Sequence, residues 1–416
     1  MMALYVILDP NFEYAAYMTK FLQEYDYQGI AVFTSEAKYR IYHSIYAQII
    51  GECIEDEYLS TEFPGLEELA DDIMQKYGEE LQGIIPWDEA TIELGAELGE
   101  MLEFDWNSRE LITHFRNKYA LKDFLRRNTD LRINASQIVT TVEEVEEFVA
   151  TVAMWPIVVK PTEGSGSRGV YFADDLDSLM AYSVEVLKTA QGEILLEEFI
   201  GGQEYVVNGI TNSEGDVLIT DLWCYDKRDS HGFKNLYFQT IKVDRADEDF
   251  DELTYYAASV IQNLGLRKSP FHMELKQDAW GPCLVECGAR FAGGNQPLLA
   301  SMLHDHSLFE IAATHYIGDF PFSHDDVHYD KYDQLQARII KGVQSFEIPA
   351  IKNIHGLDEV QNLPSFYMIG YIRPIGSYLP VTVDLDTASY EIYLIHEDPE
   401  QIESDAEMVR GLIRFE

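Results

Sequence analysis

The chain has 416 residues, of which 46% are apolar, and a chain of this length divides into about two to four domains. Its 30 lysines and arginines face 73 aspartates and glutamates, which gives a formal net charge of −43. Because this charge repels nucleic-acid phosphates and anionic lipid, the composition argues against a nucleic-acid or membrane-surface function.

The sequence also predicts a cytoplasmic protein without disulfides. No apolar run approaches the roughly 20 residues that a membrane helix needs, and the N-terminal stretch lacks a basic region and a cleavage site. The cysteines are too few and too scattered for a disulfide framework or a zinc ribbon. We interpret them as packing residues: Cys53, Cys224, Cys283 and Cys287.

Residues 1–112 show the pattern of a small doubly wound α/β domain. The run ALYVILDP predicts a strand, FEYAAYMTKFLQEY a helix and GIAVFTS a second strand, and a strand, a turn and a helix recur around Pro86. No glycine follows the first strand closely, so the dinucleotide-binding fingerprint is absent. This domain is therefore expected to supply part of a substrate wall rather than a nucleotide site.

The character of the chain changes near Thr113. The segment HFRNKYALKDFLRRN predicts one basic amphipathic helix in an otherwise acidic protein, so a negatively charged group is expected nearby. The next segments predict, in order, a threonine-capped helix (TTVEEVEEFVATV), a strand (PIVVKP), a glycine loop, a strand (GVYF), a helix from Asp174 to Lys188 and a strand (EILLEEFI).

Predicted strands dominate the second half of the chain. QEYVVNGITNSEGDVLITDLWCYD and FHMELKQDAWGPCLVECGAR each predict two strands joined by a tight turn. From Gln334 the pattern mixes strands such as QARIIKGV and YEIYLI with a last helix near Glu403 to Leu412. The sequence contains no internal repeat and no low-complexity segment.

The loop between PIVVKP and GVYF combines conformational freedom with hydrogen-bond donors. Glycine lets backbone N–H groups approach an anion closely, and serine adds hydroxyl donors. Lys160 ends the apolar strand before the loop, where it is either a surface lysine or a fixed charge for phosphate. The combination favours phosphate binding over a plain hairpin turn. The loop consists of Gly164, Ser165, Gly166, Ser167, Arg168 and Gly169.

The hairpin FHMELKQDAWGPCLVECGAR brings two acids together. Counting back from a turn at residues 278–282 sets Gln277 opposite Cys283 and Glu274 opposite Glu286. Two carboxylates on neighbouring strands, with Cβ atoms roughly 5 Å apart, repel each other unless a cation lies between them. Such oxygens, together with nucleotide phosphates, suit Mg²⁺. The alternatives are that both acids point to solvent or that the register is wrong by one residue.

The segment LLEEFIGGQEY also has two interpretations. It is either the end of a sheet edge or a strand-to-linker hinge whose backbone reads an adenine edge. In the second case Glu204 would accept hydrogen bonds from ribose hydroxyls. The spacing alone does not choose between the two.

The order of these segments resembles the ATP-grasp superfamily of carboxylate-amine ligases. The resemblance is carried by NKYALKDFL, the Lys-Pro strand end, the glycine–serine loop, EEFIGGQE and ECGARFAGG, over about residues 80–340. The chain length and the segment ARFAGG most resemble the bacterial L-amino acid ligases, which make dipeptides. The implied fold class is α/β and α+β multidomain, an ATP-grasp fold with an N-terminal Rossmann-like domain.

The resemblance implies four structural units. They are an N-terminal doubly wound α/β domain (1–112), a lid subdomain with the glycine loop (113–200), a central subdomain with the metal-binding carboxylates (201–333) and a C-terminal α+β subdomain (334–416) that packs on the central one.

The resemblance also implies a site for ATP and Mg²⁺. Lys118 and Lys160 correspond to two phosphate-binding lysines, and residues 164–169 to a mobile lid over the β- and γ-phosphates. The carboxylates expected to hold two Mg²⁺ ions, or Mn²⁺, are Glu274 and Glu286. The residues that correspond to the adenine-binding hinge and the ribose-binding acid are Glu197, Glu198, Phe199, Ile200 and Glu204.

On the substrate side, Arg290 corresponds to an arginine that stabilises the transferring phosphoryl group, and with Lys160 it forms the expected catalytic pair. Gly293 and Gly294 would admit an α-carboxylate close to the backbone, and His231 either lies on a mobile substrate loop or is a surface residue. One position departs from the superfamily: many members have asparagine two residues after the second metal-binding acid, and this chain has Gly288.

The implied reaction is the joining of an amino acid carboxylate to an amine, expected to be that of a second amino acid, through an acyl phosphate with release of ADP and phosphate. One alternative is a ligase of another ATP-grasp branch that activates a different carboxylate or bicarbonate. Another is a nucleotide-binding protein that has lost catalysis, with Gly288 as the sign of decay. The expected partners are ATP and amino acids as small-molecule substrates, with no nucleic acid and no membrane. A homodimer is considered as an assembly, although the sequence does not fix the oligomeric state.

Overall fold

The computed structural model describes residues 3–152, 154–162, 169–189, 193–317 and 327–416. The N-terminal sheet consists of β1 (Ala3–Leu8), β2 (Tyr27–Phe33), β3 (Ile54–Leu59) and β4 (Leu81–Ile85), all parallel, in the order β3–β2–β1–β4. Its helices are α1 (Glu13–Glu24), α2 (Glu36–Ile41), α3 (Ala47–Ile50), α4 (Leu66–Tyr77) and α5 (Ile92–Met101). Alternate residues of β1 enter two different hydrophobic clusters, so both faces of the sheet are covered. The predicted doubly wound architecture is confirmed.

The predicted single basic helix is wrong, because the segment forms two helices, α6 (Arg109–Arg116) and α7 (Lys118–Asn128). Asn117 separates them with an extended backbone, φ −106° and ψ 108°. Its side-chain oxygen accepts hydrogen bonds from the backbone N–H groups of Tyr119 and Ala120, at 3.0 and 2.9 Å. Asparagine is a strong N-cap residue, and this cap starts a new helix at Lys118.

A small sheet follows, with β5 (Ser136–Val139), β6 (Ile157–Lys160), β7 (Tyr171–Ala173) and β8 (Ile194–Glu198) in the order β5–β8–β6–β7. All its pairs are antiparallel. Helices α8 (Val142–Val149) and α9 (Leu176–Thr189) pack with it around their own hydrophobic cluster. The predicted threonine cap of α8 is confirmed, because Thr141 and Glu144 form a reciprocal capping box.

Eight antiparallel strands form the large sheet. They are β9 (Gln203–Thr211), β10 (Val217–Ser230), β11 (Phe233–Lys242), β12 (Ser269–Asp278), β13 (Gly281–Gly288), β14 (Gln336–Lys341), β16 (Phe366–Ile372) and β17 (Tyr390–His396). Their order is β13–β12–β9–β10–β11–β14–β17–β16, so the sheet runs without a break across the expected boundary at residue 334. A separate two-stranded sheet pairs β15 (Ile354–His355) with β18 (Arg414–Phe415).

The helices around the large sheet are α10 (Phe250–Leu264), α11 (Gln296–Ser301), α12 (Leu308–Ile317), α13 (Asp330–Gln334), α14 (Leu357–Gln361) and α15 (Pro399–Leu412). No helix in the described ranges is long and apolar enough to cross a bilayer. All four cysteines are free, and all except the half-buried Cys224 are buried.

The register of the β12–β13 hairpin is partly as predicted. The pairing of Gln277 with Cys283 is wrong, since Gln277 faces Pro282. A β-bulge at Val285 then adds one residue to β13, and it restores the predicted pairing of Glu274 with Glu286. The error at the turn and the bulge cancel, so the two acids are cross-strand partners.

The connection between the small and large sheets depends on one glycine. Gly202, just before β9, has φ +80°, and a Cβ atom there would lie 1.9 Å from the carbonyl oxygen of Gln277. A Cβ atom added at the neighbouring Gly201 would have no other atom within 4 Å. The chain can therefore turn onto β12 only with glycine at position 202.

We expect Gly202→Ala to lower the free energy of unfolding by about 2 kcal/mol or more, since it combines left-handed strain with a backbone clash. Gly201→Ala is the matched control and should change it by less than about 0.5 kcal/mol. Urea denaturation of both variants checks this. Equal midpoints for the two variants would show that the turn relaxes freely.

Candidate active site

A cavity of about 700 Å³ lies between the small sheet and one face of the large sheet. The large sheet lines it from β13 to β16, and the N-terminal region closes one side with Tyr14, Asp88 and Glu89. The expectation that this region supplies a wall of the site therefore agrees with the structure. Seven lysines and arginines and ten acids line the cavity, so cations are richer here than in the chain as a whole.

Most predicted site residues within the described ranges meet in this cavity. Those that line it are Lys118, Lys160, Glu197, Glu198, Phe199, Ile200, Glu204, Glu274, Glu286, Arg290, Gly293 and Gly294. Gly164, Ser165, Gly166 and Ser167, the core of the predicted phosphate loop, lie outside the described residues. Gly169 is described and has φ +68°, which suits glycine at the entry to β7.

The acids Glu274 and Glu286 form the most strained electrostatic pair of the cavity. Burial and the negative charge of Glu286 raise the pKa of Glu274 well above its usual range. Burial acts in the same direction on Glu286, but Lys118 and Lys160 outweigh it and lower the pKa of Glu286. Lys118 Nζ lies 3.2 Å from Glu286 Oε2. On the Glu274 side, the positive charge of Lys227 acts to lower the pKa of Glu274 but does not outweigh burial and the charge of Glu286.

This charge imbalance fits a divalent cation. Two half-buried carboxylates on adjacent strands offer hard oxygen ligands to one ion, and phosphate or water can complete the coordination. Among the residues in the described ranges, no group of three or more His, Cys, Asp or Glu side chains is gathered to hold an ion by protein ligands alone. An ion held by this pair would therefore need further ligands from a bound anion or from water.

Glu197 belongs to the predicted hinge. It pairs with Val158 inside the small sheet, and its carboxylate lies 2.6 Å from Lys122 Nζ and 2.7 Å from Lys160 Nζ. Burial favours the neutral acid, but the two lysine charges lower the pKa of Glu197 to about 2. The side chain is therefore a clamp between α7 and β6, and an adenine contact through the backbone of residues 197–200 stays a prediction.

Sequence reasoning missed Lys122, which is fully buried. Burial lowers the pKa of its ammonium group, which the carboxylate of Glu197 partly offsets. A signal was available, because Lys122 follows Lys118 by four residues and so lies on the same helix face. The segment thus contributes two lysines to this region rather than one.

The hinge and the acid after it are held by a second set of lysines. Lys276 Nζ lies 4.8 Å from the centre of the Phe199 ring and donates to the carbonyl oxygen of Ile200 at 3.2 Å. Lys227 forms a salt bridge with Glu204, and Lys276 lies 3.9 Å from the same carboxylate. Neither lysine was predicted, although Lys276 shares a strand face with Glu274 two residues before it.

Arg290 is fixed rather than free. Its Nε donates to Glu89 Oε2 at 2.6 Å and its Nη1 to the carbonyl oxygen of Phe291 at 2.9 Å, while Arg116 binds the other oxygen of Glu89. A Cβ atom at Gly288 would stand 3.4 Å from both Arg290 Cζ and Glu89 Oε2. The departure at position 288 therefore lies beside this ion pair.

The far end of the cavity contains residues that the sequence did not indicate. Lys341 on β14 forms a salt bridge with Glu391 on β17, and the hydroxyl of Tyr393 donates to Glu391 at 3.1 Å. A Cβ atom at Gly294 would lie 3.8 Å from Glu391 Oε2 and from the Tyr393 hydroxyl, so the predicted glycine pair faces this group. No motif marks these residues, because they come from three separate strands and loops.

His231 does not line the cavity, contrary to the predicted substrate role. It sits at the tip of the β10–β11 hairpin with φ +38°, and its Nε2 donates to the carbonyl oxygen of Thr382 at 2.7 Å. This hydrogen bond links the tip of the β10–β11 hairpin to the loop that contains Thr382. Its neighbours Lys234 and Asn235 reach the cavity instead.

Comparison with known proteins agrees with this geometry. A family model described as an ATP-grasp domain matches residues 153–297. Dapdiamide A synthase from Enterobacter agglomerans is 33% identical over 234 residues, which are 55% of this chain and 54% of that protein. The chain thus spans about half the length of this curated relative.

Solved structures extend the likeness to the whole fold. L-amino acid ligase from Bacillus licheniformis superposes with a TM-score of 0.77 at 16% identity, covering 100% of this chain and 98% of that chain. The biotin carboxylase domain dimer of Hydrogenobacter thermophilus 2-oxoglutarate carboxylase, solved with MgADP, ADP and bicarbonate, gives 0.68 at 16% identity, covering 100% and 91%. The chain therefore has the ATP-grasp fold and carries an ATP-grasp domain. The predicted resemblance to the ATP-grasp superfamily is confirmed, and the fold is similar to that of an L-amino acid ligase.

The Glu197 clamp generates a stability prediction. Glu197→Gln removes the carboxylate between two lysines, one of them fully buried, so we expect the free energy of unfolding to fall by about 3 kcal/mol or more. Glu147→Gln, an exposed acid on the neighbouring α8, is the matched control and should behave like the wild type. Urea denaturation followed by fluorescence compares them. An unchanged midpoint for Glu197→Gln would mean that the lysines are compensated elsewhere.

Proposed function

We propose that this protein is an ATP-dependent ligase that joins the carboxylate of one amino acid to the amine of a second. The reaction would pass through an acyl phosphate and release ADP and phosphate. The observation that carries the proposal is the half-buried Glu274–Glu286 pair, facing Lys118 within a cavity that Arg290 also lines. Positive groups and a metal-type acid pair together suit phosphoryl transfer, in which catalysis is mostly positioning and charge stabilisation.

On the nucleotide side, the hinge at residues 197–200 offers backbone groups to an adenine edge, and Phe199 offers an apolar face. Lys118 and Lys160 neutralise charge on the phosphates, and Lys160 is held in place by Glu197. Glu204 would accept from ribose hydroxyls, while Lys227 and Lys276 keep its carboxylate oriented. Each group is fixed by a partner, so little reorganisation is needed when the nucleotide binds.

Glu274 and Glu286 would hold one or two Mg²⁺ ions, or Mn²⁺. Such an ion, when bound, screens the charge of the transferring phosphoryl group. Arg290, fixed by Glu89, would orient the substrate carboxylate and stabilise the negative charge that develops during transfer. An acyl phosphate would have to be shielded from water while it awaits the amine.

Amino acids suit the substrate side because it pairs one fixed arginine with several acids. Arg290 offers a cation to an α-carboxylate, and Asp384, Asp386 and Glu391 line the same cavity and offer anions to an ammonium group. The structural similarity to an L-amino acid ligase and the 33% sequence identity with dapdiamide A synthase over 234 residues support this choice. The alternative is activation of bicarbonate or another acid, which is supported by the likeness to a biotin carboxylase domain solved with bicarbonate.

The proposal is tested by incubating the protein with ATP, Mg²⁺ and mixtures of amino acids. We expect phosphate release that depends on amino acids, together with a product of dipeptide mass. Phosphate release only with bicarbonate or with other acids would support the alternative branch. Bound ATP that is never hydrolysed would instead indicate a nucleotide-binding protein without catalysis.

Within this proposal, Glu286→Gln should lower the rate of ADP formation by about a hundredfold or more, because it removes a charge that stabilises the transition state. Glu248→Gln, an exposed acid far from the cavity lining, serves as the matched control and should retain the wild-type rate. A coupled ADP assay measures both. A Glu286→Gln rate equal to that of the wild type would refute the metal assignment.

A further inference from the structure

One buried histidine beside the acid pair has no role in the proposed mechanism. His272 lies directly across the β12–β13 ladder from Gly288, two residue pairs away from Glu274 and Glu286. Residues two apart in a strand share a face, so His272 projects on the same side as both acids. Gly288 contributes no side chain, and His272 is therefore the only side chain of that pair. It is 7% exposed and lines the cavity.

A hydrogen-bond chain fixes which nitrogen of His272 carries the proton. Asp221 accepts from Asn208 Nδ2, at 2.5 Å, which orients the amide so that Asn208 Oδ1 faces His272 Nδ1 at 2.8 Å. Because an amide oxygen only accepts, Nδ1 must donate. Asp221 is itself fixed by the hydroxyl of Thr220 at 2.7 Å and by the indole N–H of Trp223. The chain therefore leaves the lone pair on Nε2.

The lone pair on Nε2 is directed towards the acids. Nε2 lies 4.0 Å from Glu274 Oε1, which is too far for a hydrogen bond. No donor within the described ranges is at hydrogen-bond distance from Nε2. Metal-binding histidines characteristically donate their other ring N–H to an oriented polar group, as Nδ1 does here. His272 Nε2 is therefore an acceptor, and no group among the described residues donates a hydrogen bond to it.

We infer that His272 Nε2 is a third protein ligand to the divalent ion that Glu274 and Glu286 hold. The inference rests on the proposed function for the existence of that ion. Ligands about 2.1 Å from one ion and at right angles to each other are roughly 3 Å apart, so the 4.0 Å separation must close by about 1 Å. The described residues contain no group of three such side chains already close enough to hold an ion, so the inference requires His272, Glu274 and Glu286 to move together around it.

The inference has a chemical consequence that distinguishes it from an all-oxygen site. Imidazole suits later transition metals better than it suits Mg²⁺, whereas carboxylates and water suit Mg²⁺, Ca²⁺ and Mn²⁺. A site with one imidazole should bind Mn²⁺ with a nitrogen in direct contact. That contact is measurable without turnover.

The test uses MnCl₂ with ADP and the full-length protein, followed by electron spin-echo spectroscopy and by titration of the free Mn²⁺ signal. We expect the wild-type complex to show ¹⁴N modulation from a coordinated imidazole. His272→Gln should abolish the modulation and weaken Mn²⁺ binding roughly 10- to 100-fold. His355→Ala, a half-exposed histidine of β15, is the matched control and should keep both properties.

A second variant guards against a general effect on folding. A Cβ atom at position 288 would meet its nearest neighbours at 3.4 Å, which is ordinary contact, so Gly288→Asn can add an oxygen ligand on the same face. In the His272→Gln background it should restore Mn²⁺ affinity without restoring ¹⁴N modulation. Recovery of this kind is not expected if His272 only supports the fold.

Wild-type protein that binds Mn²⁺ without ¹⁴N modulation would overturn the inference and leave the proposed ligase function standing. Modulation that persists in His272→Gln would also overturn it. If the protein binds no Mn²⁺ in the presence of ADP, both the inference and the metal site fail. Failure of the ligase proposal alone appears differently, as normal ¹⁴N modulation without amino-acid-dependent phosphate release.

Discussion

The repulsion between Glu274 and Glu286 determines how the rest of the cavity is built. Two half-buried carboxylates that are cross-strand partners repel each other when both are ionised unless cations lie close to them. Lys118 lies next to Glu286, and Arg290, just after the end of β13, adds a second positive charge that acts on Glu286. Glu274 receives only a hydroxyl from Tyr225, at 3.3 Å, and the more distant charge of Lys227. Additional positive charge would therefore be most stabilising next to Glu274, which is where a metal ion and phosphates would meet.

Two acids tie the cavity to the rest of the fold, and each of them bridges two cations. Glu197 joins Lys122 of α7 to Lys160 of the small sheet, and Glu89 of the N-terminal region joins Arg116 of α6 to Arg290 beside β13. Buried ion pairs of this kind add little net stability but are costly to break, so they fix geometry. The same side chains that neutralise the site therefore also set the positions of the helices and sheets around it.

The sequence predicted what depends on local pattern, and it failed where distant residues decide. Strands and hairpins follow from hydrophobic alternation and turn residues, so the β12–β13 hairpin was found, but a bulge at Val285 has no signature in the pattern. The break at Asn117 was missed because a basic helical pattern continues through it, and only the cap reveals it. The position of His231 depends on a carbonyl at Thr382, far along the chain. The sequence likewise could not predict the roles of Lys227, Lys341 and Glu391, because each role depends on an ion pair with a residue of another strand.

The lysines and arginines of the cavity matter because the chain as a whole is strongly acidic. A protein with a formal charge of −43 repels a polyphosphate at long range, and salt screens this repulsion beyond about 10 Å. Within that distance the local groups decide, and in the cavity lysines and arginines are packed where the dielectric is low and their effect is large. A nucleotide that arrives with a divalent ion carries less negative charge and supplies the cation that the acid pair lacks. Under the proposed function, the acidic surface and the acid pair would therefore both favour the metal-bound form over free nucleotide.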